Sequence, residues 1–264
     1  MLTPEIFKKH PGQILSGVFM GEKTLKILIT GGTRGLGRKM TEHLCRQGHE
    51  VFIFSKSSET EIDPSFLSIL AGYAKCDLIN TNELETCFST LINNIERIDV
   101  LINNAAVRQF KELSEFQTSE IQRNIDVDFI APVILSNLCF PIMKRNNFGR
   151  IINISSISAY RSYRTGSLYC SAKRALVAFS ECLSKEFINL RGAITVNTIC
   201  PDSFSKPDGT MLKNYHQITD SILVSIDRII QSEANGMVIN VFTIQNKLKE
   251  SLRFIKRAFQ MLIS

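Results

Sequence analysis

From residue 25 onward, short uninterrupted apolar runs alternate with longer stretches in which apolar residues recur every third or fourth position. The runs at 25–30, 51–54, 73–76, 100–102, 150–154, 195–200 and 237–242 predict strands. A strand buried on both faces needs no polar alternation. The periodic stretches predict helices over 38–47, within 64–70, over 82–95, as one or two long helices across 115–145, and over 168–189 and 222–231. In the first of these, Met40, Leu44 and Cys45 fall at helical spacing, and Gly48 stands where a helix stop belongs. Continuous apolar strands separated by crossover helices mean a parallel sheet covered on both faces. Right-handed crossovers then give a single-domain α/β fold, a doubly wound sheet over 25–244, with no internal repeat and no linker.

The two ends read differently. Residues 1–24 carry Pro4, Pro11, Gly12, Gly17 and Gly21 and form an extension of loop or short helix, with Met20 as a second candidate start. Residues 245–264 place Leu248, Leu252, Ile255, Phe259 and Leu262 at helical spacing, with basic residues at 247, 249, 253, 256 and 257 against the one acid Glu250. This amphipathic basic helix can serve as a subunit contact, lie on a membrane surface or cover its own domain. The last reading outweighs the others, because apolar stripes usually face a core.

Composition narrows the function classes. The chain has 264 residues, 44% hydrophobic and 21% charged, which excludes wholesale disorder and low-complexity architectures. The most apolar window, 127–143, is interrupted by Asp128, Pro132, Asn137 and Pro141, so no stretch reads as a membrane span. A net charge of +6 without a long basic block does not announce a nucleic-acid partner, though it suits an anionic ligand. Seven cysteines, an odd number with no C-x-x-C pair, suggest neither a disulfide framework nor a zinc site. His10, His43, His49 and His216 lack ligand spacing, so no metal is expected. The N-terminus lacks the order of a signal peptide, and a reducing cytoplasm fits.

Residues 30–37, Thr-Gly-Gly-Thr-Arg-Gly-Leu-Gly, lie between the first strand and the first helix. That context makes a glycine turn a phosphate cradle and the sheet a Rossmann-type dinucleotide-binding one. The second strand ends Phe54-Ser55-Lys56, with no acid before Glu59, and Arg34 sits in the turn near the same corner. An acid there would accept from a ribose hydroxyl, whereas cations suit a 2′-phosphate. NADP(H) is therefore expected over NAD(H), against the plainer reading of Lys56 as a solvated loop lysine.

Tyr169 and Lys173 stand four residues apart on a predicted helix and so share a face. A nearby ammonium favours a phenolate, which turns a weak acid into a usable proton carrier. Ser156 ends the strand at 150–154, thirteen residues before Tyr169, where open α/β sheets bind ligands.

At this point the chain resembles the short-chain dehydrogenase/reductase family, of the classical type, over about residues 25–243. The likeness rests on the glycine turn, Cys76-Asp77-Leu78, Asn103-Asn104-Ala105-Ala106, the segment 149–156, Tyr169 with Lys173, and Val196-Asn197 followed by Pro201. The resemblance implies Ser156 at the substrate oxygen, Tyr169 as proton donor or acceptor, and Lys173 on the nicotinamide ribose. It implies a cofactor along Gly31, Thr33, Arg34, Gly35, Leu36 and Gly37, with Ser55 and Lys56 at the adenosine phosphate. Asp77 would meet the adenine and Asn103 the adenine-side ribose region, with Leu78, Ala105, Tyr169 and Lys173 completing the set. It also implies a small carbonyl/alcohol substrate and a homodimer or homotetramer, joined through the outward faces of the helices in 115–145 and of the one carrying Tyr169.

Several positions depart from the pattern. Asp128 stands where the family has a fourth catalytic Asn, and a carboxylate there would offset part of the Lys173 charge. Asp202 replaces the glycine after Pro201, Ala106 replaces the last glycine of N-N-A-G, Lys206 replaces a Thr unless Thr210 takes that role, and Thr243-Ile244 replace a final G-G. The stretch from Asp202 to about Ser221, short and polar, fits a polar substrate, carbohydrate-like or acidic. The expected function is an NADP(H)-dependent oxidoreductase. The alternative is a catalytically altered dinucleotide-binding or assembly protein on the same fold.

Overall fold

Seven strands share one all-parallel sheet in the computed structural model, which describes residues 23–203 and 212–242. They are β1 (Lys26–Thr30), β2 (Glu50–Ser55), β3 (Gly72–Lys75), β4 (Val100–Asn103), β5 (Gly149–Ile154), β6 (Ile194–Pro201) and β7 (Val238–Val241). Their spatial order is β3-β2-β1-β4-β5-β6-β7. The chain reverses direction across the sheet between β1 and β4, which opens a crevice at the carboxyl ends of those strands. The strands predicted from sequence are all present, displaced at their ends by a residue or two.

The helices cover both faces. On one side α1 (Gly35–Arg46), the short α2 (Pro64–Leu67) and α7 (Tyr215–Gln231) bury Met40, Leu44, Phe66, Ile222 and Ile226 against Ile27, Ile29 and Ile53. On the other, α3 (Thr81–Ile95) and α5 (Ala131–Arg145) bury Leu84, Leu91, Leu135 and Cys139 against Leu28, Phe54, Leu101 and Ile151. Ile27 and Ile29 face one layer and Leu28 the other, the period of two that a pleated strand imposes. His43 on α1 lies 2.9 Å from the Asp227 carboxylate on α7, which ties two helices of one layer.

Three predicted boundaries change. The first helix begins at Gly35 rather than at 38, so two cradle glycines lie in its opening turn. The last described helix begins at Tyr215 rather than at 222; Thr219 and Ser225 are buried beside Ile218 and Ile222, and such polar members dilute the periodic signal. The polar connection after β6 is correspondingly shorter than predicted. The 115–145 stretch resolves into α4 (Thr118–Ile125) and α5, joined by a π-helical turn at Asp126–Ile130. Pro132 has no N–H to offer the Asp128 carbonyl, and the backbone widens to an Ala131 N–H bond with the Asp126 carbonyl. Residues 1–22 of the predicted extension, positions 204–211 of the polar stretch after β6, and residues 243–264 with the predicted tail helix lie outside the described residues.

Candidate active site

The cradle follows from where the chain must turn. Gly31 has φ 65° and Gly35 φ 54°, both in the region that favours glycine. A Cβ on Gly37 would stand 2.1 Å from the Gly31 carbonyl oxygen, so no side chain fits there. A Cβ on Gly35 would meet nothing within 4 Å, so the space above it is open. The first turn of α1 holds no acidic residue, and its N-cap Arg34 makes no side-chain cap bond. The leading N–H groups of a twelve-residue helix therefore face that open space, which fits a pyrophosphate.

The end of β2 is brought to the same corner. The Gly31 N–H donates to the Phe54 carbonyl at 2.8 Å, and the Thr33 and Ser55 hydroxyls lie 3.2 Å apart. Lys56 and Arg34 are both exposed there. Asp77 follows β3, its carboxylate accepting from the Ile79 N–H at 3.4 Å, with Leu78 buried beside it. Asn103 is placed differently: its side chain is buried within the sheet and donates to Asn153 at 2.8 Å, rather than reaching the cleft.

Sequence reasoning passed over Asn104 as a site residue. Its carboxamide donates to the carbonyls of Thr30, at 3.0 Å, and Gly31, at 3.1 Å. The Asn104 and Ala105 N–H groups both donate to the Thr30 hydroxyl at 3.0 Å. Asn104 thus holds the glycine turn against the loop after β4. The repeated amide in Asn103-Asn104 was the available signal.

Helix α6 (Ser167–Glu186) carries Tyr169 and Lys173 on one buried face. Ser155 donates to the Lys173 carbonyl at 2.9 Å, and Arg174 donates to the Ala159 carbonyl at 2.7 Å, which fasten α6 to the end of β5. Lys173 Nζ donates to the Ile154 carbonyl at 3.3 Å and sits 5.8 Å from the Tyr169 ring centroid. Ser156 Oγ accepts from the Ser158 N–H at 3.1 Å. Ser156, Tyr169 and Lys173 line one cleft of about 460 Å³, together with Leu36, Asn104 and Asp202.

Asp128 comes into direct reach of the Lys173 ammonium, whose charge the sequence suggested it would offset. Its Oδ2 lies 3.7 Å from Lys173 Nζ, and its Oδ1 accepts from the Val107 N–H at 2.6 Å. The π-helical turn aims it there. Burial raises the Asp128 carboxyl above the ordinary range, opposed by Lys173 and by the Val107 bond. Tyr169 is also raised, contrary to the lowering expected from Lys173 alone. Burial outweighs the ammonium, and the Asp128 charge adds to the rise, while Ser156 and Arg108 oppose it. Asp202 pairs with Arg161 at 3.8 Å and accepts from the Ser203 N–H at 2.8 Å, a role its missing glycine could not fill.

A parallel sheet with a glycine cradle at its switch point and a Ser–Tyr–Lys cleft beside it defines a dinucleotide-dependent oxidoreductase architecture. The short chain dehydrogenase family profile matches residues 25–216, and the chain belongs to that family. It is 32% identical over 212 residues to a 3-oxoacyl-[acyl-carrier-protein] reductase of Rickettsia bellii, a span of 80% of this chain and 83% of that protein. It is 28% identical over 181 residues to an uncharacterized oxidoreductase of Bacillus subtilis, covering 66% and 68%. Among solved structures, a short-chain dehydrogenase from Streptomyces avermitilis superposes with TM-score 0.74 at 20% identity, over 92% of this chain and 97% of that one. ElxO with NADP bound superposes with TM-score 0.69 at 20% identity, over 83% and 97%.

Proposed function

We propose that the protein interconverts a carbonyl and an alcohol on a small, polar substrate, using NADP(H) in preference to NAD(H). The observation that carries this reading is the convergence of Ser156, Tyr169 and Lys173 in one cleft beside the cradle. A bound nicotinamide dinucleotide supplies or accepts the hydride. The N–H groups opening α1 hold its pyrophosphate, and Lys173 holds its ribose. Tyr169 gives a proton to the substrate oxygen in reduction and takes one in oxidation. The Ser156 hydroxyl donates to the same oxygen and stabilises its developing charge. Asp128 acts through Lys173 as a positioning residue.

The preference for the phosphorylated dinucleotide is supported by Ser55 and Lys56 at the end of β2, with no acid in the sequence before Glu59, and by Arg34 in the glycine turn. A non-catalytic role on this fold would not need the buried Tyr169 and Lys173 aimed into the cleft. We propose a cytoplasmic setting, in keeping with the seven free cysteines.

A panel of small carbonyl compounds, followed by loss of NADPH absorbance, tests the reading. Turnover is expected, and Tyr169→Phe should lower kcat by at least about a hundredfold while NADPH binding persists. A variant as active as the wild type would remove the mechanism. Titrating NADPH and NADH against wild type and Lys56→Ala tests the cofactor preference. The wild type should favour NADPH by roughly tenfold or more, and the variant should lose most of that margin; equal affinities in the wild type would contradict it.

A further inference from the structure

We infer that the cleft takes a carbonyl compound bearing a carboxylate a few bonds from its reacting carbon, and that Arg108 is the residue that selects it. This rests on the reading of the cleft as a carbonyl-reducing site.

Arg108 stands on the loop between β4 and α4 and lines the same cleft as Ser156 and Tyr169. Its guanidinium lies over the Phe110 ring, 5.3 Å from the centroid. Phe110 in turn packs against Tyr169, with ring centroids 5.5 Å apart. The stack holds a planar cation beside the reacting phenol. The Arg108 charge is also felt at Tyr169, where it joins Lys173 and Ser156 in opposing the larger effect of burial.

The other charges of the cleft have partners as well. Lys173 faces Asp128 at 3.7 Å. The Asp202 carboxylate, which would repel an anion, faces Arg161 at 3.8 Å. Arg164 at the rim lies 3.1 Å from Glu112. A guanidinium presents five N–H donors in a rigid fork that matches a carboxylate. Arg108 keeps contacts of its own within the protein, and a substrate carboxylate would share the fork with them. Phe110 and Tyr163 give the carbon skeleton an apolar wall. A phosphate-bearing carrier arm would place its charge far from the carbonyl and outside the cleft, so the geometry favours a small oxo acid.

The test compares acetoacetate and levulinate with their methyl esters and with acetoacetyl-coenzyme A, in wild type, Arg108→Gln and Arg108→Lys. Melting temperature checks that each variant folds, and Arg108→Lys serves alone if Arg108→Gln does not. The wild type should prefer the free acids in kcat/KM. Arg108→Gln should lower the acid-to-ester ratio about tenfold to a hundredfold, chiefly through KM, and Arg108→Lys by less.

Equal use of acids and esters by the wild type overturns the proposal and leaves the oxidoreductase reading standing. So does an unchanged ratio in the variants accompanied by weaker NADPH binding, which would assign Arg108 to the cofactor. Arg108-dependent use of the thioester alone would make the selected group a phosphate and also overturns it. If no carbonyl is turned over, acetoacetate but not its ester should still quench bound NADPH fluorescence in an Arg108-dependent way. That result would keep the carboxylate site and remove the reaction, whereas absence of any such difference would remove the site.

Discussion

Asp128 puts a carboxylate 3.7 Å from the Lys173 ammonium in a place sealed from solvent. Two charges taken out of water gain little net stability as a pair, but removing one leaves the other uncompensated. Asp128→Ala is therefore expected to cost about 3–5 kcal/mol in urea unfolding. Asp128→Asn should cost less, because it keeps an acceptor for the Val107 N–H. The activity effect has a definite sign. Burial chiefly raises the proton affinity of Tyr169, and the Asp128 charge raises it further. Taking that charge away lowers the phenol's pKa, so phenolate forms at lower pH. The limb of the oxidation rate that needs phenolate should shift down by about one pH unit in Asp128→Asn, the effect of one charge at several ångströms and a dielectric near 20. Superimposable profiles would mean that the carboxylate holds the loop and nothing more.

At the scale of elements, the cradle offers a paired test. Gly37→Ala drives a methyl to 2.1 Å from a backbone carbonyl that Asn104 also holds. It should cost about 3 kcal/mol or more and depress dinucleotide binding. Gly35→Ala meets open space and carries only the left-handed backbone cost, roughly 1–2 kcal/mol. Chemical denaturation of both variants ranks them, and equal losses would contradict the close-approach argument. The strands were legible because two-sided burial writes itself as unbroken apolar runs such as Val51–Phe54, each of whose members is buried. Helix starts were less legible. Gly35 and Gly37 have poor helix propensity yet open α1, since the turn needs them more than the helix resists them. The π-helical turn left no periodic trace, because its cause is one missing N–H at Pro132. Tyr169, Lys173 and Ser156 could be found by spacing. Asn104 left only a repeated amide and Arg108 no signal at all, because their partners at Thr30 and Phe110 are fixed by how β4 lies beside β1 and by a loop's path.

On the scale of the whole molecule, the stretch Thr118–Arg145 is apolar enough to draw attention, yet only 39% of its most apolar window is buried within the chain. Asp128 and the widened turn sit inside it, and its α5 half packs on the sheet, so it is a core helix with surplus apolar surface. We expect a second copy to cover that surface, together with the outward face of α6. Light scattering at micromolar concentration should report a dimer or tetramer, and a monomer would contradict it. The loop after β4 carries a further consequence for how such a molecule can change. Asn103, Asn104, Ala105 and Val107 are each fastened, to Asn153, Thr30 and Asp128, before the chain reaches the positions that shape the cleft. A library randomised at 108 and 110 should therefore yield mostly soluble proteins with altered selectivity. One randomised at 103 and 104, whose side-chain amides make these bonds, should yield mostly aggregates. The catalytic frame and the selecting residues are neighbours in sequence but separable under mutation, which leaves the cleft free to be retuned while the scaffold stays as it is.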